Sequence, residues 1–201
     1  MRESLEEADR QALLAIARGA IASRLGQPVS GPPPGSSGAL QEKRGAFVTL
    51  RRRGDGELRG CVGFSEARLA LGEAVARAAQ LAAFEDGRFD PVTAGELDSL
   101  VLDISILSPL VPIAPEAVEV GRHGLMIRHA GCSGLLLPLV PVQFGWDREE
   151  YLRHLCGKAG LPEDAWQNRE AELLAFTTES VGEMASASPR RDDTPAQKRW
   201  T

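Results

Sequence analysis

Cys61 stands between two glycines in Leu58-Arg59-Gly60-Cys61-Val62-Gly63, with Arg59 two positions upstream. A thiol becomes a useful nucleophile when a nearby cation or a helix N-terminus draws its pKa toward neutrality. On a regular strand Arg59 shares the face of Cys61, and a bulge would alter that relation. The commoner reading of Cys61 is a small buried hydrophobe, because cysteine is among the most buried residue types. Spacing alone leaves both readings open. Arg88, in Glu85-Asp86-Gly87-Arg88-Phe89-Asp90-Pro91, carries a planar fork suited to a carboxylate or phosphate. It is equally suited to holding its own loop through Asp86 or through carbonyls. His123 lies between Gly121 and Gly124 and is a candidate general base if the fold brings it to Cys61. The commoner fate of such a histidine is exposure or a backbone bond. Gly60, Gly63 and Trp146 complete the set as candidate cleft-lining residues, although Trp146 can also simply pin the helix that starts at Asp147.

Other chemistries lack their residues. The chain has no CxxC, no HExxH and no second cysteine pair, so a structural zinc site from His123, His129 and Cys132 is not expected. No Walker loop, dinucleotide fingerprint or Ser-His-Asp elbow is present, and no three-cysteine cluster exists for an iron–sulfur centre. No cofactor is therefore expected in this chain. Cys61, Cys132 and Cys156 are an odd count without paired spacing, which suits a reduced compartment better than a disulfide framework.

The elements that must position these residues follow from patterning. With 201 residues and 43% hydrophobic content, the chain can form one domain or two small lobes. No segment approaches the ~20 apolar residues of a membrane span, and Glu3, Glu6, Glu7 and Asp9 precede the first apolar stretch. A cytoplasmic location is expected. A net charge of −5 gives no global attraction to nucleic acid, and Arg51-Arg52-Arg53 beside a Gly-Asp-Gly turn reads as a solvated hairpin end.

Ser4 to Leu25 repeats apolar residues at helical spacing, with Ser4 as a cap and Gly26 as a stop. Gln27 to Gly38, with its triple proline, reads as a linker or surface loop. A hairpin follows, Ala46 to Arg52 and Glu57 to Phe64, then an alanine-rich helix from Leu69 to Phe84. Thr93 to Leu97 carries the spacing of a capping box. Leu100 to Leu107 alternates as a strand. Gly124 to His129 and Ser133 to Leu137 form a second hairpin about Ala130-Gly131-Cys132. Pro138 to Trp146 reads as a loop. Asp147 caps a helix from Arg148 to Ala159, and Ala171 to Val181 reads as one final strand. Residues 1–185 make the folded part, as one domain or as two intertwined lobes, and the polar stretch 186–201 reads as a flexible tail. The hairpins are short and interspersed with helices, so the fold class is α+β, an antiparallel or mixed sheet with flanking helices.

Six stretches in this order resemble the AMMECR domain family: Arg44 to Leu50, Leu58 to Gly63, Phe84 to Phe89, Ile104 to Pro109, Gly121 to Leu125 and Phe144 to Asp147. The likeness covers roughly Leu5 to Glu183. Bacterial and archaeal members are called AmmeMemoRadiSam system protein A. The resemblance implies a compact two-lobed α+β protein with its arginine-glycine-cysteine motif in a cleft. It also implies association with a Memo-like protein and a radical SAM enzyme. The implied role is an enzyme or enzyme subunit using Cys61 and Arg59; the alternative is an adaptor that presents substrate to those partners. Three positions depart from the family pattern. Phe64 stands where a threonine is usual, Gly87 where proline is preferred, and Phe144 where a glutamate is frequent. Any role the family gives that glutamate therefore does not transfer here.

Overall fold

A computed structural model describes residues 5–29 and 38–183. The Ser4 cap, most of the proline-rich linker and the tail 186–201 lie outside these residues. The described chain divides into two compact units, the first made of residues 5–29, 38–106 and 179–183, the second of 107–178.

In the first unit, α1 (Glu7–Arg24) buries Ala12, Leu13, Ala17 and Ile21 along one stripe. Glu7 and Asp9 lie in its first turn, where negative charge opposes the helix dipole. It packs on α2 (Leu71–Phe84), whose alanines at 74, 78, 79, 82 and 83 are buried and let its backbone come close to neighbours. The sheet beneath is ordered β2-β1-β3-β8, from β1 (Ala46–Arg52), β2 (Leu58–Phe64), β3 (Leu100–Leu107) and β8 (Thr178–Gly182). One face joins the core through Ala46, Val48, Leu50, Val62, Phe64, Leu102, Ile104 and Ile106. Strand alternation places Phe47, Thr49, Cys61, Gly63, Asp103 and Ser105 on the other face. Arg18 ties α1 to this sheet: it donates to the carbonyls of Leu97 and Leu100 and pairs with Glu183, whose carboxylate also takes the Leu102 N–H.

The second unit has its own antiparallel sheet, β4-β7-β5-β6, from β4 (Val111–Pro112), β5 (Gly124–His129), β6 (Cys132–Leu136) and β7 (Glu172–Phe176). α3 (Leu139–Phe144) and α4 (Arg148–Lys158) follow β6. Leu125, Ile127, Leu136, Tyr151, Leu152, Leu155 and Cys156 form the core. Asp147 and Glu150 make a reciprocal capping box at α4, as the sequence predicts. The fold is α+β.

Three expectations change. The expected strand from Ala171 to Val181 is two strands in different sheets, because Ser108 holds Thr177 on both sides, donating its N–H and accepting the Thr177 N–H on Oγ. The loop expected from Pro138 to Trp146 contains α3; Pro141 sits in its first turn, where proline is tolerated, and Gly145 ends it at φ +68°. The second hairpin turns on Ala130 and Gly131 alone, at φ +49° and +76°, so Cys132 opens β6 opposite His129. No helix among the described residues is long and apolar enough to cross a membrane.

Candidate functional site

β2 is an edge strand, so alternate residues turn their backbone groups away from β1. Cys61 is one of these. Its N–H donates to Asp86 Oδ2 at 2.9 Å, and its carbonyl accepts from Arg88 Nη2 at 3.3 Å. Arg88 in turn grips Asp86 through Nε at 3.0 Å and Nη2 at 2.7 Å, and its backbone N–H also reaches Oδ1. The Asp86–Arg88 pair thus supplies the acceptor and donor that a fifth strand would have given. Burial pushes the Asp86 carboxyl up, but the bonds from Arg88 and from the Cys61 N–H outweigh it and hold the group below its ordinary value. Two signature stretches therefore meet at the backbone of Cys61.

The Cys61 side chain points to the sheet face away from α2. Its residue is 2% exposed, and Sγ lies 3.1 Å from Thr49 Oγ1, the cross-strand neighbour. The register slips from Leu50 opposite Gly60 to Arg51 opposite Leu58, so Arg59 is the extra residue of a β-bulge. Its guanidinium lies against Glu96, at 3.1 Å from Nε and 3.4 Å from Nη2. Nη1 is buried and has no hydrogen-bond partner among the described residues. Glu96 also accepts from the N–H and hydroxyl of Thr93. That backbone bond first, opposed by burial and helped by Arg59, keeps its carboxyl below the usual value.

The glycines serve close approach. A Cβ on Gly60 would lie 2.1 Å from the carbonyl oxygen of Ala82 in α2, and one on Gly63 would meet the backbone and ring of Phe47 at about 2.5 Å. The alanine-rich helix and the glycine-bearing strand are two halves of one contact.

Cys61, Arg59, Gly60, Gly63 and Arg88 all lie in the first unit, whereas His123 and Trp146 belong to the second. His123 Nδ1 accepts the Glu119 N–H at 3.1 Å, and its carbonyl takes the buried Tyr151 hydroxyl. Trp146 stacks between Phe144, at 4.9 Å, and His154, at 3.8 Å, just ahead of α4. His129 lies 3.5 Å from the Asn168 amide. Cys156 is buried in the second core, and burial raises its thiol pKa. Among the described residues no group of three or more His, Cys, Asp or Glu is placed to hold a metal ion.

Thr49, Glu96 and the full role of Asp86 are not evident from spacing. Thr49 reads as one more alternating strand residue, and Glu96 signals a cap, which it is, while also meeting an arginine 37 positions earlier.

The comparisons with known proteins agree with this architecture. The family model described as AMMECR1 matches residues 14–181. Protein MK0488 of Methanopyrus kandleri is 40% identical over 96% of this chain and 97% of its own length. Protein MJ0810 of Methanocaldococcus jannaschii is 47% identical over 72% of this chain and 76% of its own. The crystal structure of the uncharacterized protein PH0010 from Pyrococcus horikoshii is similar at a TM-score of 0.78 and 40% identity, covering 88% of this chain and 92% of that one. The chain belongs to the AMMECR1 family.

Proposed function

We propose that this chain is a binding module that holds an anionic group of a substrate through Arg59 and presents it to Memo-like and radical SAM partners, without forming a bond itself. The observation that carries this reading is the engagement of the motif: the thiol is buried against Thr49, while Arg88 is bonded to Asp86 and Arg59 to Glu96. A nucleophile needs access and a nearby unengaged cation. The spare Nη1 of Arg59 supports recognition of one carboxylate or phosphate oxygen through a charge-assisted bond. The partner assignment rests on the resemblance of the signature stretches.

A second reading keeps Cys61 as a nucleophile within an enzyme or enzyme subunit, favoured by the Thr49 hydroxyl 3.1 Å from Sγ, a donor able to steady a thiolate. Iodoacetamide labelling at pH 8, resolved by peptide mass spectrometry, separates the two. The binding reading expects Cys61 to label far more slowly in the folded protein than in denaturant. Rapid labelling of native Cys61, together with loss of turnover in a reconstituted Cys61→Ser system that still assembles, would establish the nucleophile instead.

A further inference from the structure

The short strand β4 pairs with β7 only at Val111 opposite Ala175 and Pro112 opposite Leu174, followed by the Ile113 N–H to the Leu173 carbonyl. Continuing that register sets Pro115 opposite Ala171. Proline has no N–H to give, and the chain instead enters a 3-10 turn at Pro115–Ala117. Ala171, for its part, donates its N–H to Asn168. The lane beside the start of β7 is thus left by β4 after Ile113. A groove of about 760 Å³ lies there, lined by Ile113, Pro115 and Glu116 from one segment and by Trp166, Arg169 and Leu173 from the other. Ligand clefts commonly run from about 300 to 1,000 Å³. Two features of its lining call for a ligand rather than solvent alone. The Trp166 indole N–H is buried with no partner among the described residues, and the exposed Arg169 forms no ion pair among the described residues.

We propose that this groove receives an extended peptide segment of a partner protein, laid beside β7 with an acidic side chain at Arg169. The peptide main chain supplies what Pro115 lacks, an N–H directed at the Ala171 carbonyl, and offers carbonyls to the Trp166 indole. Strand addition of this kind draws affinity from main-chain bonds and selectivity from alternate side chains. Arg169 sets the preference for a carboxylate, and Glu116 disfavours a second one in its own part of the groove. This surface lies wholly in the second unit and does not depend on the reading of Cys61.

The test titrates isotope-labelled full-length protein with the blocked peptide Ac-Thr-Val-Glu-Val-Thr-amide and follows amide and indole N–H resonances. Saturable shifts are expected at Arg169, Leu173 and the Trp166 indole. A glutamine-for-glutamate peptide, or the Arg169→Ala protein, should each bind about ten-fold more weakly, the loss of one charge-assisted bond. A peptide with both valines N-methylated should leave these resonances unmoved. The assignment is overturned if no shift appears up to the solubility limit, if N-methylation changes nothing, or if acetate alone reproduces the shifts.

Discussion

Replacing Asp86 with alanine tests whether the two signature stretches serve the edge of β2. Asp86 is 3% exposed and is the acceptor for the Cys61 N–H. The variant leaves that donor unsatisfied in a buried position, at a cost of about 1–3 kcal/mol. It also takes the carboxylate partner from the Arg88 guanidinium. That side chain is 34% exposed, so water takes over much of the lost bonding and the added cost is about 1 kcal/mol or less. The sum is about 1–4 kcal/mol. Because the chain has two compact units, bulk unfolding curves mix two transitions, and the exchange rates of amides in the central strand β1 report the first unit directly. These rates should rise about 5- to 700-fold in Asp86→Ala, matched by a lower urea midpoint for that unit. A rise below about 3-fold, under roughly 0.7 kcal/mol, would refute the edge-pairing argument.

Acid dependence adds a second axis. The folded-state pKa of Asp86 is depressed, so its contribution is complete above the unfolded carboxylate value near ~3.9 and is lost as pH falls through the lower folded value. Asp86→Asn keeps an acceptor for the Cys61 N–H but cannot titrate. Its stability should therefore lie between wild type and Asp86→Ala at neutral pH, and its gap to wild type should narrow as pH falls below the unfolded carboxylate range. A gap that is unchanged from pH 7 to pH 2, measured by urea unfolding, would show that the carboxylate charge is irrelevant.

Three further outcomes can be checked. Gly60→Ala places a methyl 2.1 Å from the Ala82 carbonyl oxygen, a backbone atom that cannot rotate away; a loss of about 2–3 kcal/mol in the first unit is expected by urea titration, and near-wild-type stability would contradict the close approach. Tyr151→Phe removes a hydroxyl that donates to the carbonyls of His123 and Leu136; it should cost about 1–2 kcal/mol by thermal melting, without altering labelling of Cys61. Glu96→Gln weakens the hold on Arg59, and if Arg59 binds an anion, affinity for inorganic phosphate by calorimetry should rise or persist, whereas Arg59→Ala should abolish it.

Most of the helices and hairpins were legible because each carries a period that only one element satisfies. The helical recurrence of Ala12, Leu13, Ile16, Ala20 and Ile21 in the sequence gives α1, and the alternation of Leu100 to Leu107 gives β3, within a few residues of the observed ends. The misses have specific causes. Leu173 to Val181 alternates without interruption, and the break at Thr177 comes from Ser108, 69 positions earlier, a tertiary bond that no window contains. Prolines at 138 and 141 argue for a loop, yet both fall at the start of α3, where a missing N–H costs nothing. In the candidate site, residue types were readable and their engagement was not. The sequence places Arg59 beside Cys61, but only the fold brings Glu96 to Arg59 and Asp86 to the Cys61 backbone.

That engagement changes what Leu58 to Gly63 can mean. Gly60 admits the end of α2, Gly63 accommodates Phe47, and Val62 joins the core. Cys61 contributes its backbone to the Asp86–Arg88 pair and its thiol to a cross-strand contact with Thr49. Each of these is a packing or edge-pairing requirement that alanine or serine would disturb, with no reaction needed to explain it. One group stands outside that account: the Nη1 of Arg59, buried on a bulged edge strand without a partner among the described residues. A buried guanidinium donor left unbonded costs free energy, and a bulge is a device that re-aims a side chain. Under the proposed binding role, recognition chemistry in this motif falls to Arg59, and removing that one side chain while keeping Cys61 is the substitution that separates binding from folding.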